Sequence, residues 1–236
     1  MLSIIIPTLN EEDFLKNTLK EIKRQDFENY EIIVADAGSN DNTKEIAKDF
    51  NCKIVEGGSP AQGRNSGAEV AQGDILLFLD SDLIKIYEKD LKKGVAEFKK
   101  KNLDGAAFPI KVDGNWFDKI CYIIYNLWAR LFQLLSPYGA QAILVRKEIH
   151  DKIGGFDEEI DIGEDHFYMK QVAKKGKVRY LHTRPFIFSS RRMEKEGRII
   201  LYSKYLFTGA HMTFLGPIKN SKVLKYQFDH YRSDEE

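Results

Sequence analysis

Gly73-Asp74-Ile75-Leu76-Leu77-Phe78-Leu79-Asp80-Ser81-Asp82 decides the fold. Its apolar run leaves no solvated face, as in a strand covered on both sides, and it stops abruptly on two acids. Upstream, residues 2–6 form a similar run closed by Pro7, and 11–24 carry Phe14, Leu15, Leu19 and Ile22 at helical spacing. Residues 30–35 predict another strand, which ends on the turn-forming cluster 36–42. The pattern continues with a short helix at 43–50, a strand at 52–55 and a helix at 61–71. Downstream of the quoted stretch, 89–101 reads as a helix and 105–112 as extended chain. Strands alternating with helices predict an α/β fold, a doubly wound and mostly parallel sheet flanked by helices. Ligands of such sheets bind beyond the carboxyl ends of the strands. Acids or breakers gather at those ends in 7–11, 36–39 and 80–82.

The 236 residues suit a single large domain, and 43% hydrophobic content with 12% aromatics excludes a disordered chain. Thirty-six basic residues balance 36 acidic ones, so the basic excess of a nucleic-acid binder is missing and no nucleic-acid partner is expected. Two cysteines, Cys52 and Cys121, cannot build a disulfide scaffold or a zinc cage, and a cytoplasmic location is expected. The first residues carry neither a basic leader nor a long apolar segment. There is no linker or repeat, so one continuous domain is expected, with halves at 1–110 and 111–236.

The second half is less regular. Residues 116–135 form an aromatic-rich helix candidate, with Phe117, Ile120, Cys121, Ile124, Trp128 and Leu131 on one stripe. Asn126, Arg130 and Gln133 interrupt it, so it is a poor membrane span. A buried helix is the first expectation, and an interfacial membrane helix the alternative. Residues 177–226 hold eleven Lys/Arg against two Glu. With the apolar segment 199–207, this basic region could make a peripheral contact with an anionic bilayer.

Asp80 and Asp82 stand two residues apart after a buried strand, and in extended chain both would face one divalent cation. Hard oxygen ligands suit Mg²⁺ or Mn²⁺. A helix-capping acidic turn is the plainer alternative. Gly58 to Asn65 mimics the spacing of a phosphate-binding loop, yet Arg64 and Asn65 replace its Lys and hydroxyl. A dinucleotide site lacks its glycines after the first strand.

Ser3-Ile4-Ile5-Ile6-Pro7-Thr8-Leu9-Asn10-Glu11 and Glu31-Ile32-Ile33-Val34-Ala35-Asp36-Ala37-Gly38-Ser39 resemble the opening of family 2 glycosyltransferases. Gly63-Arg64-Asn65-Ser66-Gly67, the 73–82 stretch with its DxD motif, Gly154-Gly155-Phe156-Asp157-Glu158 and Gly163-Glu164-Asp165 continue the resemblance in order, across 2–192. It implies a GT-A fold and an inverting, metal-dependent enzyme that takes a sugar from a nucleotide-diphosphate donor, a UDP-sugar by the family's habit. Its acceptor is unread, and the basic, apolar second half would suit a lipid-linked or membrane-proximal one.

By the same resemblance Thr8, Glu11 and Asp36 line the nucleotide pocket, and Arg64 and Arg192 contact the donor. Asp80 and Asp82 hold the divalent cation, Asp80 also reaching the donor, and Asp165 is the base that deprotonates the acceptor. A local salt bridge is the competing reading for Arg64, and a helix-dipole partner for Asp165. Ala37 stands where many members carry a second Asp. Ser189-Ser190-Arg191-Arg192 replaces the histidine that many members use as a third metal ligand, and resembles a Ser-x-Arg-Arg motif whose guanidinium grips diphosphate. His182 lies nearby, out of register, and reads as structural. A nucleotidyltransferase lacks its glycine-rich, basic first loop here. The alternative of another class is a catalytically silent nucleotide-sugar-binding or membrane-associated scaffold.

Overall fold

A computed structural model describes residues 1–160, 162–214 and 216–219, so the basic region beyond 219 lies outside the described residues. The chain runs through β1 (Leu2–Thr8), α1 (Glu12–Lys23), β2 (Tyr30–Asp36), α2 (Thr43–Asp49), β3 (Lys53–Glu56), α3 (Pro60–Glu69) and β4 (Ile75–Leu79). It continues with β5 (Leu83–Lys85), α4 (Asp90–Lys100), β6 (Gly105–Ala107), β7 (Ile110–Val112), α5 (Trp116–Phe132) and β8 (Ala142–Arg146). Then come α6 (Lys147–Ile153), α7 (Glu164–Lys175), β9 (Val178–Tyr180), β10 (Phe186–Phe188), α8 (Arg191–Glu196) and α9 (Arg198–Phe214).

The main sheet has the strand order β3-β2-β1-β4-β8-β6-β9. β3, β2, β1 and β4 pair in parallel, β8 runs antiparallel between β4 and β6, and β6 pairs in parallel with β9. Uninterrupted apolar runs fill both faces. Ile4, Ile6, Leu77 and Leu79 point into one core, and Ile5, Ile33, Leu76 and Phe78 into the other. Pleating sends alternate side chains to opposite faces, so a strand buried on both sides needs no polar alternation. Strand order reverses between β1 and β4, and Thr8 pairs with Asp36, so the ends of β1, β2 and β4 open onto one crevice.

Two expectations need correcting. Residues 105–112 are not one extended segment. β6 joins the main sheet, whereas β7 leaves it for a smaller sheet of order β5-β10-β7. Pro109, at the break, has no N–H to continue a ladder, while its carbonyl accepts from Phe186 at 2.9 Å. The helix of 116–135 forms, opened by an Asn115–Asp118 capping box and ending at Phe132, but its predicted apolar stripe is not buried. The inward face carries Asp118, Tyr122, Asn126 and Ala129 instead. Asn126 lies against the edge strand β7. Its Oδ1 accepts from Ile110 N–H at 3.1 Å, and its Nδ2 donates to Ile110 C=O at 2.8 Å.

Candidate active site

Three clusters meet at the carboxyl ends of β1, β2 and β4. In the first, Asp36 closes β2 and is almost fully buried. Its Oδ2 accepts the Gly38 and Ser39 N–H groups at 3.0 Å each, and its Oδ1 receives the hydroxyls of Ser39 and, at 3.4 Å, of Thr8. The tight turn requires Gly38 at φ +89°, a left-handed backbone natural to glycine. Lys44 approaches Asp36 at 3.4 Å. Beside this carboxylate lies a cavity of about 400 Å³ whose lining includes Asp36, Ala37, Lys44, Val55 and Gly57.

The second cluster surrounds Asp80 and Asp82, which sit on the turn between β4 and β5 rather than on extended chain. No helix follows directly, so the capping alternative falls. Thr18 donates its hydroxyl to Ser81 C=O, and Ser189 N–H reaches Asp82 C=O at 3.0 Å, which fixes the turn from two sides. Burial, reinforced by the charge of Asp80, pushes the Asp82 carboxyl up to about 7. Asp82 Oδ1 is buried without a partner, and so is Glu11 Oε2. Arg191 joins these groups: it donates to Glu11 Oε1, lies 3.9 Å from Asp82 and stacks over Phe14 at 4.4 Å.

The third cluster is Glu164-Asp165 at the start of α7. Arg64 links it to the second: one guanidinium nitrogen donates to Glu164 at 2.7 Å, another to Asp80 at 3.1 Å. Arg64 is buried and over the Phe156 ring, and the surrounding carboxylates keep it charged despite that burial. The α3 helix that carries it presses on β1, because a Cβ on Gly67 would stand 2.4 Å from Ile5 Cγ2. Burial raises Glu164. Burial also pushes Asp165 up, but His166 outweighs it through its charge and hydrogen bonds and holds Asp165 below the usual carboxylate range. Those bonds run from His166 N–H at 2.7 Å and from its Nδ1 at 3.0 Å.

The structure thus brings Glu11, Arg64, Asp80, Asp82 and Asp165 into one linked region, with Thr8 and Asp36 beside it. Arg64 makes the salt bridges that the sequence left as the competing reading. Arg192 pairs with Glu196 at 3.2 Å, while its charge is felt at Asp80 and Asp82. Arg191 was missed, although the Ser-Ser-Arg-Arg stretch signals it. Glu164 and His166 were missed as partners of Arg64 and Asp165. His182 lies apart, bonded to Glu97 at 2.8 Å.

Among the described residues no three acids, histidines or cysteines converge as a cation cage. The orphaned Asp82 Oδ1, beside a second carboxylate, nonetheless fits Mg²⁺ or Mn²⁺, which keep coordination positions for water and substrate phosphate.

The sequence profile described as "Glycosyl transferase family 2" matches residues 3–156. Poly(ribitol-phosphate) beta-N-acetylglucosaminyltransferase TarS of Staphylococcus aureus is 26% identical over 80% of this chain and 35% of its own length. Glycosyltransferase AglE of Haloferax volcanii is 36% identical over 74% of this chain and 62% of its own. The chain therefore spans only part of these relatives. The crystal structure of TarS 1–349 with UDP-GlcNAc superposes with TM-score 0.68 at 20% identity, over 97% of this chain and 76% of that one. Mannosyltransferase PcManGT from Pyrobaculum calidifontis, in complex with GDP-Man and Mn²⁺, gives TM-score 0.68 at 16% identity, over 87% of this chain and 64% of that one. These likenesses establish the GT-A fold, and the profile match, laid across every strand end of the crevice, makes this chain a member of glycosyl transferase family 2.

Proposed function

We propose that this protein transfers a sugar with inversion from a nucleotide-diphosphate donor, of the UDP class, to an acceptor hydroxyl. The observation that carries the reading is Arg64, which ties the Asp80-Ser81-Asp82 turn to the Glu164-Asp165 helix start. Leaving-group chemistry and base chemistry are thereby joined through a single side chain. Residues 1–110 form the nucleotide-sugar-binding half, and 111–236 receive the acceptor while lending Arg191 and Arg192 to the donor diphosphate. Asp36, fixed by Ser39 and Thr8, borders the nucleotide cavity, and Glu11 orients Arg191 toward the diphosphate. Arg191 and Arg192 bring positive charge to where the leaving diphosphate gathers its own.

Asp80 and Asp82 would hold a Mg²⁺ or Mn²⁺, which when bound supplies charge neutralisation to the diphosphate. UDP-GlcNAc in the TarS structure, and GDP-Man with Mn²⁺ in PcManGT, support a nucleotide-sugar donor and a divalent cation. Asp165 is ionised at neutral pH, which is the form that takes the acceptor proton. A cytoplasmic location is proposed on the cysteine content alone, two residues in 236.

A thermal-shift panel of UDP, GDP, CDP and dTDP with and without Mn²⁺ tests the donor site. Stabilisation by UDP that needs both Mn²⁺ and Asp82, and vanishes in Asp82→Asn, is expected. Asp165→Asn should bind UDP as the wild type does and hydrolyse or transfer from UDP-sugars at least about 10²-fold more slowly. Undiminished turnover in Asp165→Asn would remove it as the base.

A further inference from the structure

Among the described residues, all exposed large hydrophobic side chains fall in 116–135 or 199–207. On α5 they recur at Trp116, Ile123, Leu127 and Leu131, which are 71%, 66%, 56% and 67% exposed. That spacing is one helical face, so this amphipathic helix points its apolar side outward. Its polar side is the anchored one: Asp118 is fully buried and accepts from Arg198 Nε at 2.9 Å and Tyr202 OH at 3.0 Å, while Asn126 engages β7. Those bonds lock α5 to α9, and Phe117 meets Tyr202 edge-on at 5.7 Å. The outward residues Ile199 and Leu206 of α9 extend the apolar surface.

We infer that the α5–α9 face docks on an anionic lipid bilayer. Charge selects this occupant. The exposed charges of α5 are the cations Lys119 and Arg130, and its one acid, Asp118, is buried and paired with Arg198; on α9, Lys204 is paired with Glu196 of α8 at 2.8 Å. Lys119 and Arg130 are exposed along one border of the α5 stripe, where they meet headgroups as the apolar residues enter the acyl boundary. Glu194, exposed on α8, is paired with Arg198 at 3.7 Å. A second copy is a poorer occupant, because a two-fold contact would set cations against cations with no exposed acid on either helix to answer them. No helix among the described residues is long and apolar enough to cross a membrane, so the helices lie on the bilayer.

The inward side of α5, opposite that face, packs toward the site. Tyr125 of α5 contacts Tyr138 at 6.3 Å, and Tyr138 meets His166, the partner of Asp165, at 4.8 Å.

The test is co-sedimentation of the full chain with phosphatidylcholine vesicles and with vesicles containing phosphatidylglycerol. Both tryptophans, Trp116 and Trp128, lie on the exposed face, so their emission reports entry directly. Binding to the anionic vesicles with a blue shift is expected. Leu127→Glu with Leu131→Glu should weaken it by about tenfold or more, and Lys119→Glu with Arg130→Glu by about tenfold. UDP-dependent thermal shifts retained in these variants show an intact fold and keep failure of docking separate from failure of the donor site. Absence of sedimentation and of the blue shift, or equal binding to neutral and anionic vesicles, overturns the proposal. So does a dimer that the leucine variants dissociate.

Discussion

Arg64 shows how much one side chain can hold. It serves Asp80 and Glu164 at once, in a place where both carboxylates also face the charge of Asp165. Arg64→Met should therefore destabilise the protein by about 3 kcal/mol, because two enclosed acids lose their cation; the urea midpoint measures this. His150 makes a different prediction. Burial pushes its imidazole from 6.5 down to about 4, while Nδ1 lies 2.8 Å from the Tyr168 hydroxyl. The unfolded chain then binds the proton more readily than the folded one. Stability is complete above the unfolded value and falls as pH drops from 6.5 toward 4, by roughly 3 kcal/mol in all. His150→Gln should flatten that acid slope in melting curves taken across the window, and an unchanged slope would assign it to another group. The sequence exposed Asp36, Asp80 and Asp82 at strand ends, whereas Asp165 was named through the family resemblance alone. The sequence did not choose Arg191 over Arg192, since neighbouring arginines have the same chemistry and only the path of α8 decides which meets Glu11.

Elements differ in how plainly they were written. β1, β2 and β4 were legible because strands covered on both faces leave unbroken apolar runs. The separation of β6 from β7 was not, since the broken ladder at Pro109 depends on which edges wait on either side. For α5 the period was legible and its direction was not: periodicity defines a stripe without saying whether protein lies beneath it. The inward face looked polar in sequence, and its polar groups are satisfied by Arg198, Tyr202 and β7. At α3, the contact between Gly67 and Ile5 sets how closely the helix covers β1. Gly67→Ala should cost about 1–3 kcal/mol, although alanine is the better helix former, because its methyl group overlaps the isoleucine. Thermal denaturation of this variant beside Gly67→Ser would show the steric cost directly.

As a whole the molecule is knitted across the two halves proposed for donor and acceptor. β8, from the second half, inserts between β4 and β6 of the first, and Leu144, Phe186 and Phe188 complete the core begun by Leu77 and Leu79. A fragment of residues 1–110 should accordingly lack a cooperative melting transition and should aggregate, since it leaves the β4 edge and its core face open. A sharp transition in that fragment would instead make the halves separate folding units. The same concern with open edges gives a meaning to Asn126. By offering both an acceptor and a donor to Ile110, its amide imitates the next strand and closes β7 from the side. At Ile110 the β7 edge thereby has its hydrogen-bonding groups satisfied, which leaves less of that edge open to an added strand.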